Sequence, residues 1–231
     1  MIDAAARELD EYARACVQAR GTFSLVLAGG STPADLYRAL ANNDDALPWA
    51  ATQLWFGDER CVPPTHHDSN YRMAHETLIG PLGLPADRVH RMRGELPPGE
   101  AADAYEAEIR EAFALAPGEL PHFDLVLLGI GEDGHTASLF PDTTALGVHD
   151  RVVAPNYVPK LDAHRITLSM PCLCAAQRVW ILVAGARKAE IVAAVLGGPQ
   201  TPARYPVQQV RLPESPVIWW LDEPAAAQLS P

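Results

Sequence analysis

Apolar residues in this chain fall into short, nearly unbroken runs separated by stretches of helical spacing. The runs cover residues 22–28, 52–57, 123–130, 165–170, 178–184 and 216–221. Near-continuous hydrophobicity over strand length fits strands covered on both faces, as in a largely parallel sheet. The run 165–170 differs: it alternates apolar with polar and is closed by Pro171, which predicts an antiparallel strand in a mixed sheet. Helices are predicted over 3–20, with Asp3 as N-cap, and over 33–42, with Pro33 in the first turn after Ser31-Thr32. Three more are predicted over 69–79, capped by Asp68 or Ser69, over 99–115, and over 186–196, which Gly197-Gly198 ends. The β-α-β-α-β order predicts a three-layer α/β/α sandwich, Rossmann-like, with a mostly parallel (mixed) central sheet and residues 1–231 as a single domain. Ligands of such sheets sit beyond the carboxyl ends of the strands, so the loops that follow strands are where chemistry is sought.

Charge narrows the ligand. Eighteen basic and 29 acidic residues leave a formal net charge of −11, against the basic face that nucleic acids require. An anionic ligand then needs a pocket that is cationic locally, against a repulsive background. The apolar runs are too short to span a membrane. The N-terminus lacks a basic stretch, an apolar stretch and a small-residue cleavage site in series, which predicts a cytoplasmic protein. Cys16, Cys61, Cys172 and Cys174 are too few and scattered for a disulfide framework. Cys172 and Cys174, one residue apart and without a second pair, have a poor spacing for zinc. All four read as reduced thiols.

Three strand-end loops carry candidate chemistry. Ala28-Gly29-Gly30-Ser31-Thr32-Pro33 lets backbone approach an anion and places hydroxyls at a helix N-terminus; a plain capped turn is the alternative. Gly57-Asp58-Glu59-Arg60, followed by prolines, offers two acids and a cation to a polar substrate, or is a solvated turn. Asn70, downstream at a helix start, is placed to face the same mouth. Gly129-Ile-Gly131-Glu-Asp133-Gly134-His135 matches the dinucleotide fingerprint letter for letter. That fingerprint needs a full helix next, whereas Pro141 limits the helix to barely two turns. The acidic Asp150, near the expected offset, lies in loop-like sequence. The segment instead presents His135, a group able to carry a proton both ways near neutrality.

The other histidines (His66, His67, His75, His90, His122, His149 and His164) read as structural or exposed. Adjacent His66 and His67 cannot serve one metal from a regular element, and no metal or cofactor is predicted. No G-x-S-x-G elbow supplies a serine nucleophile, which leaves direct attack by water. Lys188, in the first turn of the helix over 186–196, opposes the helix dipole and suits a bound anion or a solvated surface. Arg165, opening its strand, is a similar candidate.

Taken together, Gly29-Gly-Ser-Thr-Pro33, Trp55-Phe-Gly-Asp-Glu-Arg-Cys-Val-Pro-Pro64, Asp68-Ser-Asn-Tyr-Arg72, Phe123 to Pro141, and Arg165-Ile-Thr-Leu-Ser-Met-Pro171 closely resemble the 6-phosphogluconolactonase family. The likeness extends to Trp220-Leu-Asp-Glu-Pro-Ala-Ala-Ala227 and spans nearly the whole chain. The resemblance implies hydrolysis of 6-phospho-D-glucono-1,5-lactone to 6-phosphogluconate without a metal, in the oxidative pentose phosphate pathway; a monomer or homodimer is expected. It implies His135 as general base, flanked by Asp133, Gly134 and Thr136. It places Arg60 and Lys188 as cations around the substrate and its phosphate, and Gly29, Gly30, Ser31 and Thr32 as the glycine-rich loop. Asn70 and Arg72 join the substrate side on a looser signature, beside Asp58, the substrate-side candidate of its own strand-end segment. The glucosamine-6-phosphate deaminase/isomerase family is the nearest alternative. It carries Met-Asp-Glu-Tyr where this chain has Gly57-Asp-Glu-Arg60, and a glutamate expected for ring opening where this chain has Thr136-Ala-Ser-Leu-Phe-Pro141. A dinucleotide-dependent oxidoreductase and a catalytically silent sugar-phosphate-binding protein are the remaining rivals.

Overall fold

The computed structural model describes residues 1–43, 47–212 and 216–229. Five strands form a parallel sheet: β1 (Phe23–Leu27), β2 (Thr52–Phe56), β4 (Leu125–Leu128), β7 (Arg178–Val183) and β8 (Ile218–Leu221), in the order β2-β1-β4-β7-β8. Every residue of β1 and of β4 is buried. That accounts for their unbroken apolar sequence: a strand covered on both faces has no solvent side to mark. The helices are α1 (Ile2–Arg20), α2 (Ser31–Ala41), α3 (Asn70–Ala74), α4 (Pro98–Ala112), α5 (Met170–Cys174), α6 (Ala189–Leu196) and α7 (Glu223–Ala226).

Strand order creates a crevice. The chain leaves β1 for β2 on one side, and the next strand to join, β4, lies on the other. The loops after β1 and β4 therefore diverge, leaving the opening in which open α/β sheets bind ligands. At the opposite end of the same strands, the buried Asp124 carboxylate joins them. It accepts hydrogen bonds from Ser24 N (2.8 Å) and Ser24 Oγ (2.9 Å) and pairs with Arg20.

The antiparallel strand expected over 165–170 exists as β6 (Ala163–Leu168), but outside the central sheet. It pairs with β3 (Asp58–Arg60) and β5 (Val153–Val158) in a second, antiparallel sheet. Gly57 joins the two layers. Its N–H donates to Leu27 O (2.9 Å) at the end of β1, while its carbonyl accepts from Leu168 N (2.8 Å) at the end of β6.

Several local expectations change. Ser31 and Thr32 lie within the first turn of α2, whose N-cap is Gly30, and Asp3 lies within the first turn of α1 after the Met1 cap. Ser69 does cap α3, accepting from Arg72 N at 3.1 Å, but α3 is short and passes into a wider π turn over His75–Ile79. No helix follows His135: Ala137 has φ 47° and Gly134 φ 76°, so the chain turns twice instead. The four cysteines are free thiols, two of them buried. No helix among the described residues is long and apolar enough to cross a membrane.

Candidate active site

A cleft of about 220 Å³ opens at the crevice between β1 and β4. It is lined by the Gly29-Gly30 loop, by Asp58 and Arg60, by Gly129 to Gly131, by His135 and Thr136, and by Lys188. The three strand-end loops picked out in the sequence thus converge with the lysine that opens α6.

His135 is held on several sides. Its Nδ1 lies 2.5 Å from Asp133 Oδ1, and its N–H donates to the same oxygen at 3.2 Å. The ring stacks on Phe140 with 3.9 Å between centroids and 22° between planes. With Asp133 ionised, the imidazole hydrogen must sit on Nδ1, which leaves Nε2 as the acceptor. Burial lowers the His135 pKa to about 4; Lys188, Arg165 and Arg60 push the same way, and Asp58 opposes them. At neutral pH the ring is a neutral base.

Glycines make this geometry possible. A Cβ on Gly131 would lie 2.0 Å from His135 Nδ1, and Gly131 N donates to His135 O at 2.9 Å. Gly134 has φ 76°, and a Cβ there would meet Tyr205 at 2.7 Å. Thr136, buried, ties the two ends of the loop by donating from Oγ1 to Gly129 O at 2.9 Å. Of the three glycines that mimic a dinucleotide fingerprint, Gly131 therefore admits the imidazole and Gly134 supplies the left-handed turn before it.

The opposite wall is built on β3, a segment expected to be a loop. The buried Glu59 carboxylate accepts from the backbone N–H groups of Arg60 (2.8 Å), Asn70 (2.7 Å) and Tyr71 (2.8 Å) and from Ser69 Oγ (2.9 Å). Burial raises the Glu59 pKa, and these hydrogen bonds oppose the rise. The bonds fix Asn70 over β3, where Asn70 Nδ2 donates to Asp58 O (2.9 Å) and Asp58 Oδ1 (3.1 Å). The other Asp58 oxygen accepts from Ser138 Oγ at 2.6 Å. Gly29 leaves room for this amide, since a Cβ there would come within 2.1 Å of Asn70 Oδ1.

The cations are placed by sheet register. Arg60 on β3 and Arg165 on β6 are direct cross-strand partners, an unfavourable position for like charges unless an anion joins them. Arg60 Nη1 donates to Asp68 O (2.5 Å) and Arg165 Nη1 to His164 O (3.1 Å). Burial, reinforced by Arg60, lowers the Arg165 pKa. Lys188 sits where a 3-10 turn (Ala186–Lys188) meets α6, and its Nζ donates to Ile130 O at 2.8 Å. Burial lowers its pKa, with Glu132 opposing.

Not every expected residue reaches the cleft. Arg72 is spent on Glu76 (2.7 Å) and Thr65 O (3.2 Å). The side chains of Ser31 and Thr32 do not line the cleft, although the first turn of α2 that they form begins at its edge. Gly134 packs on Tyr205 instead of the cleft. The adjacency argument about His66 and His67 is also revised. They lie in an irregular turn, and their ligating nitrogens and the Asp68 carboxylate come within 4.8 Å of one another. Ser138, Phe140 and Lys160, which pairs with Asp133, were not singled out in the sequence. Ser138 and Phe140 sit inside the quoted loop motif, whereas Lys160 carries no local signal.

The chain matches the family described as "Glucosamine-6-phosphate isomerases/6-phosphogluconolactonase" over residues 1–220. It is 40% identical over 214 residues to a 6-phosphogluconolactonase from Synechocystis sp., covering 92% of this chain and 87% of that protein. Identity to the 6-phosphogluconolactonase of Mycobacterium tuberculosis is 37% over 238 residues, with 99% and 94% covered. The crystal structure of 6-phosphogluconolactonase from Thermotoga maritima superposes with a TM-score of 0.82 at 30% identity, covering 95% and 94% of the two chains. By sequence and by fold, then, the chain belongs to the glucosamine-6-phosphate isomerase/6-phosphogluconolactonase family.

Proposed function

We propose that this chain hydrolyses 6-phospho-D-glucono-1,5-lactone to 6-phospho-D-gluconate, with His135 as general base and without a metal ion. One observation carries the reading: a neutral histidine, clamped through Nδ1 by Asp133, faces a cleft lined by Arg60 and Lys188, with Arg165 beside Arg60 adding its charge. That combination suits proton transfer to and from an anionic ligand, and relatives similar to this chain are named 6-phosphogluconolactonase.

Each step follows from the residues. The phosphate is held by Lys188, by the arginines and by the N–H groups of the Gly29–Thr32 turn, where α2 adds its positive end. His135 Nε2 takes a proton from a water as its oxygen attacks the lactone carbonyl at C1. The tetrahedral oxyanion is stabilised by Arg60 or by loop N–H groups, each donor contributing about 3–4 kcal/mol in such a site. The carbonyl re-forms as the C1–O bond to the ring oxygen breaks. The imidazolium returns its proton to that oxygen, and the product is the open-chain acid. Asp133 stabilises the imidazolium between the two transfers.

The deaminase reading lacks support at the loop, where Thr136 to Pro141 stand in place of the glutamate-bearing segment. The test is acid release from lactone generated in situ, followed above the spontaneous rate, with glucosamine 6-phosphate as a control substrate. Accelerated lactone opening with no ammonia from the amino sugar is expected. Ammonia release, or 6-phosphogluconate binding without acceleration, overturns the proposal.

A further inference from the structure

We propose that Lys160 is a positioning residue for the catalytic histidine, holding the Asp133 carboxylate in the orientation that His135 requires. The proposal rests on the reading of His135 as the base. Lys160 lies in the turn Pro159–Leu161 between β5 and β6, so it reaches the loop from the second sheet. Its Nζ pairs with Asp133 Oδ2, while Asp133 Oδ1 receives His135 Nδ1 at 2.5 Å. The same ammonium lies 4.7 Å from the centre of the Phe140 ring, on which His135 stacks. One cation thus touches both groups that orient the imidazole.

The arrangement answers a chemical need. A carboxylate with one oxygen on a histidine and the other in water is able to rotate, and the imidazole turns with it. Pinning the second oxygen removes that freedom, as groups behind a metal-ligating histidine do. A cation on Asp133 also limits how far its negative charge favours the imidazolium. The other charges facing His135 are Asp58, Lys188, Arg165 and Arg60, on other elements, and among the described residues Lys160 is the cation paired with Asp133. Lys160 is half exposed and not part of the packed core, so its replacement is expected to leave the fold intact, as thermal unfolding checks.

The experiment compares wild type with Lys160→Met, which keeps the apolar stem, and Lys160→Arg, which keeps the charge. NMR titration of the His135 ring without substrate is read beside kcat and KM for the lactone across pH. In Lys160→Met the His135 pKa is expected to rise by about half a unit to one unit. The acid limb of kcat/KM should move with it, kcat should fall several-fold and KM should stay within twofold of wild type by the uniform-binding criterion. Lys160→Arg restores all three. An unmoved His135 titration overturns the proposal, as does a raised KM at constant kcat, which makes Lys160 a substrate ligand. If the titration moves as expected but His135→Asn retains wild-type lactonase activity, the positioning contact stands and the base assignment fails.

Discussion

Replacing Gly131 with alanine tests whether the loop is shaped around its histidine. The added Cβ would stand 2.0 Å from His135 Nδ1, 2.1 Å from Cε1 and 2.7 Å from Asp133 Oδ1. Ordinary van der Waals contact begins at 3.4 Å, so the ring must retreat by roughly 1.4 Å. Little room exists for that movement. Phe140 lies against the ring at 3.9 Å between centroids, and the 2.5 Å bond to Asp133 cannot stretch so far and survive. Misplacing a catalytic group by about 1 Å typically costs about 10²-fold in rate, so Gly131→Ala should lower kcat by at least that factor. The overlap should also cost about 1–3 kcal/mol of stability, with no added backbone strain because Gly131 lies outside the left-handed region. The assay is lactone opening above the spontaneous rate, paired with thermal unfolding. A folded variant with kcat within a few-fold of wild type would refute the argument that this glycine exists to admit the imidazole.

The pH profile is a second expectation. Burial lowers the His135 pKa from 6.5 to about 4, so kcat/KM should hold steady from neutrality down to about pH 5 and fall only as pH approaches 4. The same shift bears on stability. The folded state binds the proton more weakly than the unfolded chain, so this contribution is present above pH 6.5 and is lost as pH falls from there toward 4, detectable by urea titration at stepped pH. Asp124→Ala, at the end of the strands away from the cleft, should cost about 3 kcal/mol by stranding Ser24 N–H in the core, a fall of roughly 6–12 °C in Tm. Its kcat should match wild type. Arg165→Ala should raise KM for the lactone by roughly 10-fold or more with a smaller change in kcat, and weaken competitive inhibition by 6-phosphogluconate in parallel.

Much of the scaffold was readable because buried parallel strands announce themselves. Leu125-Val-Leu-Leu128 and Phe23-Ser-Leu-Val-Leu27 carry their burial in their composition. Strand β3 did not, since Asp58-Glu59-Arg60 is a run of charges whose strand geometry comes only from pairing with β6. Strand β5 was hidden by Pro155 and Asn156 at its centre. In the site, His135 stood out because glycines and Pro141 bracket it within one short segment. The pairing of Arg60 with Arg165 was invisible, because each arginine was evident alone but their juxtaposition is a matter of register between distant strands. Lys160 was more hidden still, joined to Asp133 across 27 residues by the turn of the second sheet. The Ser31 and Thr32 hydroxyls were expected at the ligand, but the helix starts one residue earlier than a serine cap requires and leaves its backbone amides at the crevice.

The central claim is that His135 moves the proton in lactone opening. Turnover of His135→Asn, which keeps a polar side chain of similar reach, tests it most directly, measured at pH 7 against wild type with folding verified by thermal unfolding. A loss of about 10²–10⁴-fold in kcat is predicted, the usual contribution of a general base. A folded His135→Asn enzyme that opens the lactone at the wild-type rate would contradict the account.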